Sequence, residues 1–213
     1  MFGDSTTAYR GEVRKVYSVR VDEALQSIGS SVAVQNAGIG GNTTRDALKR
    51  FERDVLRHQP RVIVMQFGIN DAAVDVWKKP PAAEPRVPLP AYLDNLRTMI
   101  AAARKQNARV ILMTTNPVRW TPKLKDMYGQ PPYDPFADDG FEAAHLAGYN
   151  AALRTLAQEL AVPLVDVRAA YPAFAAQHGT TLDGLLPDGM HPNDLGHQLV
   201  SELLIPAIRD ALQ

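Results

Sequence analysis

With 23 basic and 23 acidic side chains among 213 residues, the chain carries no formal net charge, and it lacks the surplus of Lys and Arg that a phosphate-binding partner of nucleic acid needs. It has no cysteine, so disulfides, thiolate zinc sites and cysteine nucleophiles are excluded. No window approaches the roughly 18 uninterrupted apolar residues of a membrane span, and the length suits one well-filled domain over 1–213.

The chain opens on Met1-Phe2 and runs at once into Gly3-Asp4-Ser5. No signal peptide is visible, so the default compartment is cytoplasmic, although the N-terminus looks truncated. The charged stretch Arg10 to Arg14 reads as solvated. Val32-Ala33-Val34 is a short strand candidate that enters a glycine-rich turn, Asn36 to Thr44. A helical pattern follows over Thr43 to Arg57. Arg61 to Phe67 is β-branched and nearly continuous, as a strand covered on both faces should be. Arg109 to Thr114 repeats that character and Val162 to Val167 does so more briefly. Helical patterns fill the intervals at Tyr92 to Gln106 and Phe141 to Leu160, and a last one covers Asn193 to Leu212, with Asn193 as its N-cap. Strand and helix in alternation predict right-handed crossovers, hence a parallel sheet between two helical layers. The expected fold is a three-layer α/β/α sandwich of flavodoxin-like type, with its first strand truncated.

Two connections are rich in proline: Trp77 to Pro90 and Arg119 to Asp139. Proline removes amide donors, so neither is expected to hide a helix. Trp77, Trp120, Tyr128, Tyr133 and Phe136 predict packed loops over disorder. Both connections follow strand ends, where open α/β sheets bind ligands. They are therefore the expected walls of a cleft, with Trp77, Trp120 and Met190 beside the substrate.

Four segments carry chemistry. Ser5 is a nucleophile candidate, although an isolated Gly-Asp-Ser is more often an ordinary turn or N-cap. Asp188 and His191 stand three apart between Pro187 and Pro192, a spacing that lets a carboxylate hold one imidazole nitrogen and leave the other free. Gly40-Gly41-Asn42 and Gly68-Ile69-Asn70-Asp71 follow strand candidates. The glycine cluster invites a dinucleotide reading, but the fingerprint counted from Gly38 needs glycine where Thr43 stands. Metal ligation by Asp188, His191 and His197 finds no further residue placed to complete a shell. His58, His145 and His178 read as surface or helix residues without chemistry.

In order and spacing these segments resemble the GDSL esterases and lipases, or SGNH hydrolases, over nearly the whole chain. The resemblance implies Ser5 as nucleophile, His191 as base, Asp188 as its orienting acid, and an oxyanion hole from the Ser5 amide, the Gly41 amide and the Asn70 side chain. It implies a metal-independent serine esterase without cofactors. Members with similar starts resemble carbohydrate acetylesterases, so the expected substrate is a short-chain ester, foremost an O-acetyl group on a glycan. A generic short-chain or aryl esterase, or a lysophospholipase-like enzyme, is the alternative. A catalytically inactive SGNH-fold binding protein is the alternative of another class, because family members carry a longer strand before Gly-Asp-Ser. Oligomeric state is not legible.

Overall fold

The computed structural model describes residues 1–213. Five parallel strands form one sheet in the order β2-β1-β3-β4-β5. They are β1 Phe2–Gly3, β2 Ala37–Gly38, β3 Val62–Gln66, β4 Arg109–Met113 and β5 Leu164–Val165. The chain steps from β1 to β2, crosses back to β3, and then moves outward. That reversal creates a switch point at β1/β3, beyond whose carboxyl ends a crevice opens.

Helices cover both faces. In chain order they are α1 Tyr17–Ser27, α2 Thr44–Asp54, α3 Ile69–Ala72, α4 Leu89–Lys105, α5 Pro122–Tyr128, α6 Ala147–Glu159, α7 Val167–Gln177, α8 Leu182–Leu185 and α9 Asp194–Leu212. Side chains alternate across a strand, and the two cores follow that parity. Ile63, Met65, Val110 and Leu112 join Phe51, Leu96, Ile100 and Leu153 on the α2, α4 and α6 side. Val64, Ile111 and Met113 join Tyr17, Val21, Tyr171 and Leu204 on the α1, α7 and α9 side. Strands buried on both faces explain why β3 and β4 read as unbroken apolar runs. No helix is long and apolar enough to cross a membrane.

Three expectations need correction. Val32 to Val34 is irregular, and the second strand is Ala37–Gly38. The Arg119 to Asp139 connection does contain a helix, α5, because Pro122 sits in its first turn, where no amide hydrogen bond is lost. Thr121 caps it by accepting from the Leu124 amide. Finally, Phe136 is 95% exposed and Trp77 47%, so the aromatics of the proline-rich segments are only partly loop core.

The first strand has two residues, yet it lies between two neighbours: Phe2 pairs with Ala37 and Met65, and Gly3 with Gly38 and Gln66. Phe2 is buried against Phe51 and Phe67, with ring centroids 5.3 and 5.2 Å away. The Arg50 guanidinium lies 4.4 Å from the same ring centroid. Its nitrogens donate to Gly3 O at 2.9 Å, Ala37 O at 2.8 Å and Asn42 Oδ1 at 2.7 Å. One buried cation thus ties β1, the end of β2 and the following turn together.

Candidate active site

The turn after β1 sets Ser5. Asp4 O accepts from the amides of Thr7 and Ala8, while Asp4 Oδ1 accepts from the Thr6 amide at 2.9 Å. Thr6 Oγ1 lies 2.9 Å from both Asp4 Oδ1 and Gln66 Oε1, so the turn is locked onto β3. Burial pushes the Asp4 carboxyl upward, and the Thr6 hydrogen bonds offset this only in part.

The opposite side of the crevice comes from the segment before α9. Asn193 caps that helix by accepting from Leu195 and Gly196, as its sequence position predicted. Asp188 Oδ1 accepts from the amides of Met190 at 3.0 Å and His191 at 2.7 Å. Its other oxygen lies 2.6 Å from His191 Nδ1. Gly189, at φ +85°, makes this turn possible, and a Cβ there would also sit 2.2 Å from Arg119 O. Burial would raise the Asp188 carboxyl, but hydrogen bonds from the His191 ring and the two amides outweigh it and hold it well below the usual carboxylate range. An ionised Asp188 keeps the proton on Nδ1, so Nε2 is an acceptor. Ser5 Oγ lies 2.8 Å from Nε2, which makes the hydroxyl the donor.

The donor side of the crevice comes from the ends of β2 and β3. None of the protein's hydrogen bonds takes up the backbone N–H of Ser5 or Gly41; Gly41, at φ +75°, is exposed with open space around it. Asn70, in α3, donates from Nδ2 to Asn42 O at 3.1 Å. Its neighbour Asp71 is fully buried and accepts from the Thr44 amide and hydroxyl. Burial, partly offset by those bonds, pushes its carboxyl up to about 7.

The residues expected beside the substrate fall in different settings. Met190 is half-buried, its carbonyl bonded to Asn116 Nδ2 at 2.6 Å. Trp120 donates its indole N–H to Asp134 O and Ala137 O and packs edge-on to Tyr133 and Phe141, so it is loop core. Trp77 is exposed, with Lys78 Nζ 5.6 Å from its ring centroid. Both proline-rich connections touch the segments that hold these groups: Arg119 N donates to Gly189 O at 2.7 Å, and Arg86 Nη1 to Asn70 Oδ1 at 3.1 Å. Arg10 is not simply solvated, because its Nη2 lies 3.5 Å from Asp188 Oδ2. Sequence reasoning missed Arg10, Arg50, Arg86 and Gln66, whose partners lie far along the chain and leave no local signal.

A parallel sheet of this order between helical layers is a three-layer α/β/α fold that hosts many functions; likeness to known proteins places this chain among the SGNH hydrolases, a class of carboxylic ester hydrolases. The sequence profile of the GDSL-like lipase/acylhydrolase family matches residues 1–199, and the chain belongs to that family. It is 30% identical to an uncharacterized lipoprotein of Bacillus subtilis over 94% of this chain and 85% of the relative. It is 26% identical to an isoamyl acetate-hydrolyzing esterase of Saccharomyces cerevisiae over 98% and 84%. An acetylxylan esterase of Geobacillus stearothermophilus is 28% identical over 83% of this chain and 72% of the relative. The crystal structure of an acetylxylan esterase from Geobacillus stearothermophilus superposes with a TM-score of 0.75 at 25% identity, covering 97% and 91% of the two chains.

Proposed function

We propose that residues 1–213 act as one serine esterase domain that removes short acyl groups, foremost acetyl groups on a carbohydrate. The observation that carries this reading is the unbroken run Ser5 Oγ, His191 Nε2, His191 Nδ1, Asp188 Oδ2, with contacts of 2.8 and 2.6 Å. Ser5 Oγ attacks the ester carbonyl carbon while Nε2 takes its proton. The tetrahedral oxyanion is met by the Ser5 and Gly41 amides and by Asn70 Nδ2, donors held in place before charge develops. Collapse breaks the bond to the alcohol oxygen, which leaves with the proton from His191. Water then attacks the acyl-enzyme by the same route, giving up its proton to Nε2, and the carboxylate product departs as Ser5 is reprotonated. Asp188 stays ionised throughout and holds the imidazolium.

Two of the relatives are named for acetate esters, and that supports the acetyl group as the acyl part. The test is hydrolysis of p-nitrophenyl acetate and release of acetate from acetylated xylooligosaccharides, each against Ser5→Ala. Wild-type turnover of both, abolished in the variant, is the expected result. Residual activity above a few per cent of wild type in Ser5→Ala would remove the serine from its role, since the groups act as one unit. Turnover of the aryl ester without any release of acetate from the oligosaccharide would return the substrate to a generic short-chain ester.

A further inference from the structure

We infer that Arg86 is a positioning residue that fixes which end of the Asn70 carboxamide faces the reacting carbonyl. The inference rests on the reading of Asn70 as an oxyanion donor. A carboxamide can rotate by half a turn and exchange its oxygen for its NH2 with little change in shape. Only one of the two orientations serves catalysis: the NH2 stabilises an oxyanion, whereas the oxygen repels it.

At Asn70 the oxygen end is fixed by Arg86 and the NH2 end by Asn42 O. Its Nη1 donates to Asn70 Oδ1 at 3.1 Å. A guanidinium has donors only, so the flipped amide would set two donors against each other. On the other end Asn70 Nδ2 donates to Asn42 O at 3.1 Å. One N–H and the oxygen are therefore committed; Asn70 also lies close enough to Asp4 to steady its carboxylate, and it is this second N–H that a developing oxyanion would draw on.

Arg86 is itself held. Its Nε donates to Asp75 Oδ1 at 2.8 Å and its Nη2 lies 2.7 Å from the same oxygen, with Tyr128 Oη at 3.3 Å. The backbone around it is pinned to the segment after β3, because Arg86 N donates to Ala73 O and Val87 N to Asp71 O. Each of its three guanidinium nitrogens meets the asparagine or one of its supports. The cation also pulls electron density toward Oδ1, which makes the remaining N–H a better donor.

A double-mutant cycle tests this. Arg86→Met removes every donor at similar length, and Asp75 keeps Lys78 at 2.7 Å, so no carboxylate is left alone. Arg86→Met should lower kcat for p-nitrophenyl acetate by about 10- to 100-fold with KM changed less than about twofold, as expected for a group acting only in the transition state. Arg86→Lys, which retains a donor, should recover part of the loss. In the Asn70→Ala background Arg86→Met should cost nothing further, because there is no amide left to orient. The same fold-loss in both backgrounds, no rescue by lysine, or an Asn70→Ala variant with wild-type kcat would each overturn the inference. Melting curves of every variant separate a fold defect from a positioning defect, and an unstable Arg86→Met leaves the lysine arm and its own cycle to decide. Activity that survives Ser5→Ala would instead sink the serine reading on which Asn70's role depends.

Discussion

The short first strand puts the burden of placing Ser5 on contacts outside the strand, and Arg50 supplies the ones that hold β1 itself. Its side chain is 7% exposed and donates to Gly3 O, Ala37 O and Asn42 Oδ1 while lying over Phe2. A net hydrogen bond to a charged group contributes roughly 1.5–3 kcal/mol, and a desolvated cation–π contact about 1–2. Two losses are softened: Gly3 O still accepts from Ile39 N, and Asp54, whose Oδ2 lies 3.3 Å from Arg50 Nη1, still has Arg53 at 2.6 Å. Arg50→Lys keeps the charge but cannot reach three acceptors as a fork does. We expect it to cost about 3 kcal/mol, which in a chain of this length lowers Tm by roughly 6–12 °C. The carbonyls released precede Ser5 and Gly41, so the loss should also appear in kcat, by about 10-fold or more. Thermal melts followed by circular dichroism, with p-nitrophenyl acetate hydrolysis well below the variant's Tm, measure both. An Arg50→Lys protein that melts with the wild type and turns over at its rate would show that β1 needs no such clamp.

Other outcomes follow from the same geometry. Asp188→Asn should lower kcat by about 10²–10⁴, less than Ser5→Ala, because an amide N–H facing Nδ1 moves the ring proton to Nε2 and leaves a weak base; a variant within twofold of wild type would remove Asp188 from its role. Stability should depend on pH through two buried groups of opposite sign. Burial lowers His197 to about 4, so its contribution is lost as pH falls from about 6.5 toward 4; burial raises Asp71 to about 7, so its ionisation destabilises the fold as pH rises from about 4 to 7. Denaturant titrations should therefore show Asp71→Asn gaining on the wild type as pH rises across that window, and a constant difference would refute the buried carboxyl. For p-nitrophenyl esters kcat/KM should peak at acetate to butyrate and fall by octanoate if, as proposed, the proline-rich segments wall a small acyl pocket that cannot bury further methylenes at about 0.8 kcal/mol each; a rise continuing to decanoate would reveal an acyl tunnel.

What could be read in the sequence was what local chemistry restricts. β3 and β4 announced themselves because burial on both faces demands continuous apolar residues, and α9 because Asn193 must cap it. Ser5, Asp188 and His191 stood out as a nucleophile candidate and a carboxylate–imidazole pair at a usable spacing, whereas Gly41 and Asn70 were picked out only by the resemblance to the GDSL family. The two-residue strands β1 and β2 are too short to show any period; β1 forms against β3, and β2 against β1. Helix α5 was hidden by the proline that starts it. The supports were least visible: Arg50 reaches Gly3 across 47 positions, Arg86 reaches Asn70 across 16, and Thr6 reaches Gln66 across 60. A donor of the right type is useful only when its orientation is fixed, and orientation is decided by contacts that close after the sheet has formed. Substitutions at Arg50 and Arg86 should therefore separate the presence of a catalytic group from its placement, which substitutions at Ser5 or His191 cannot do.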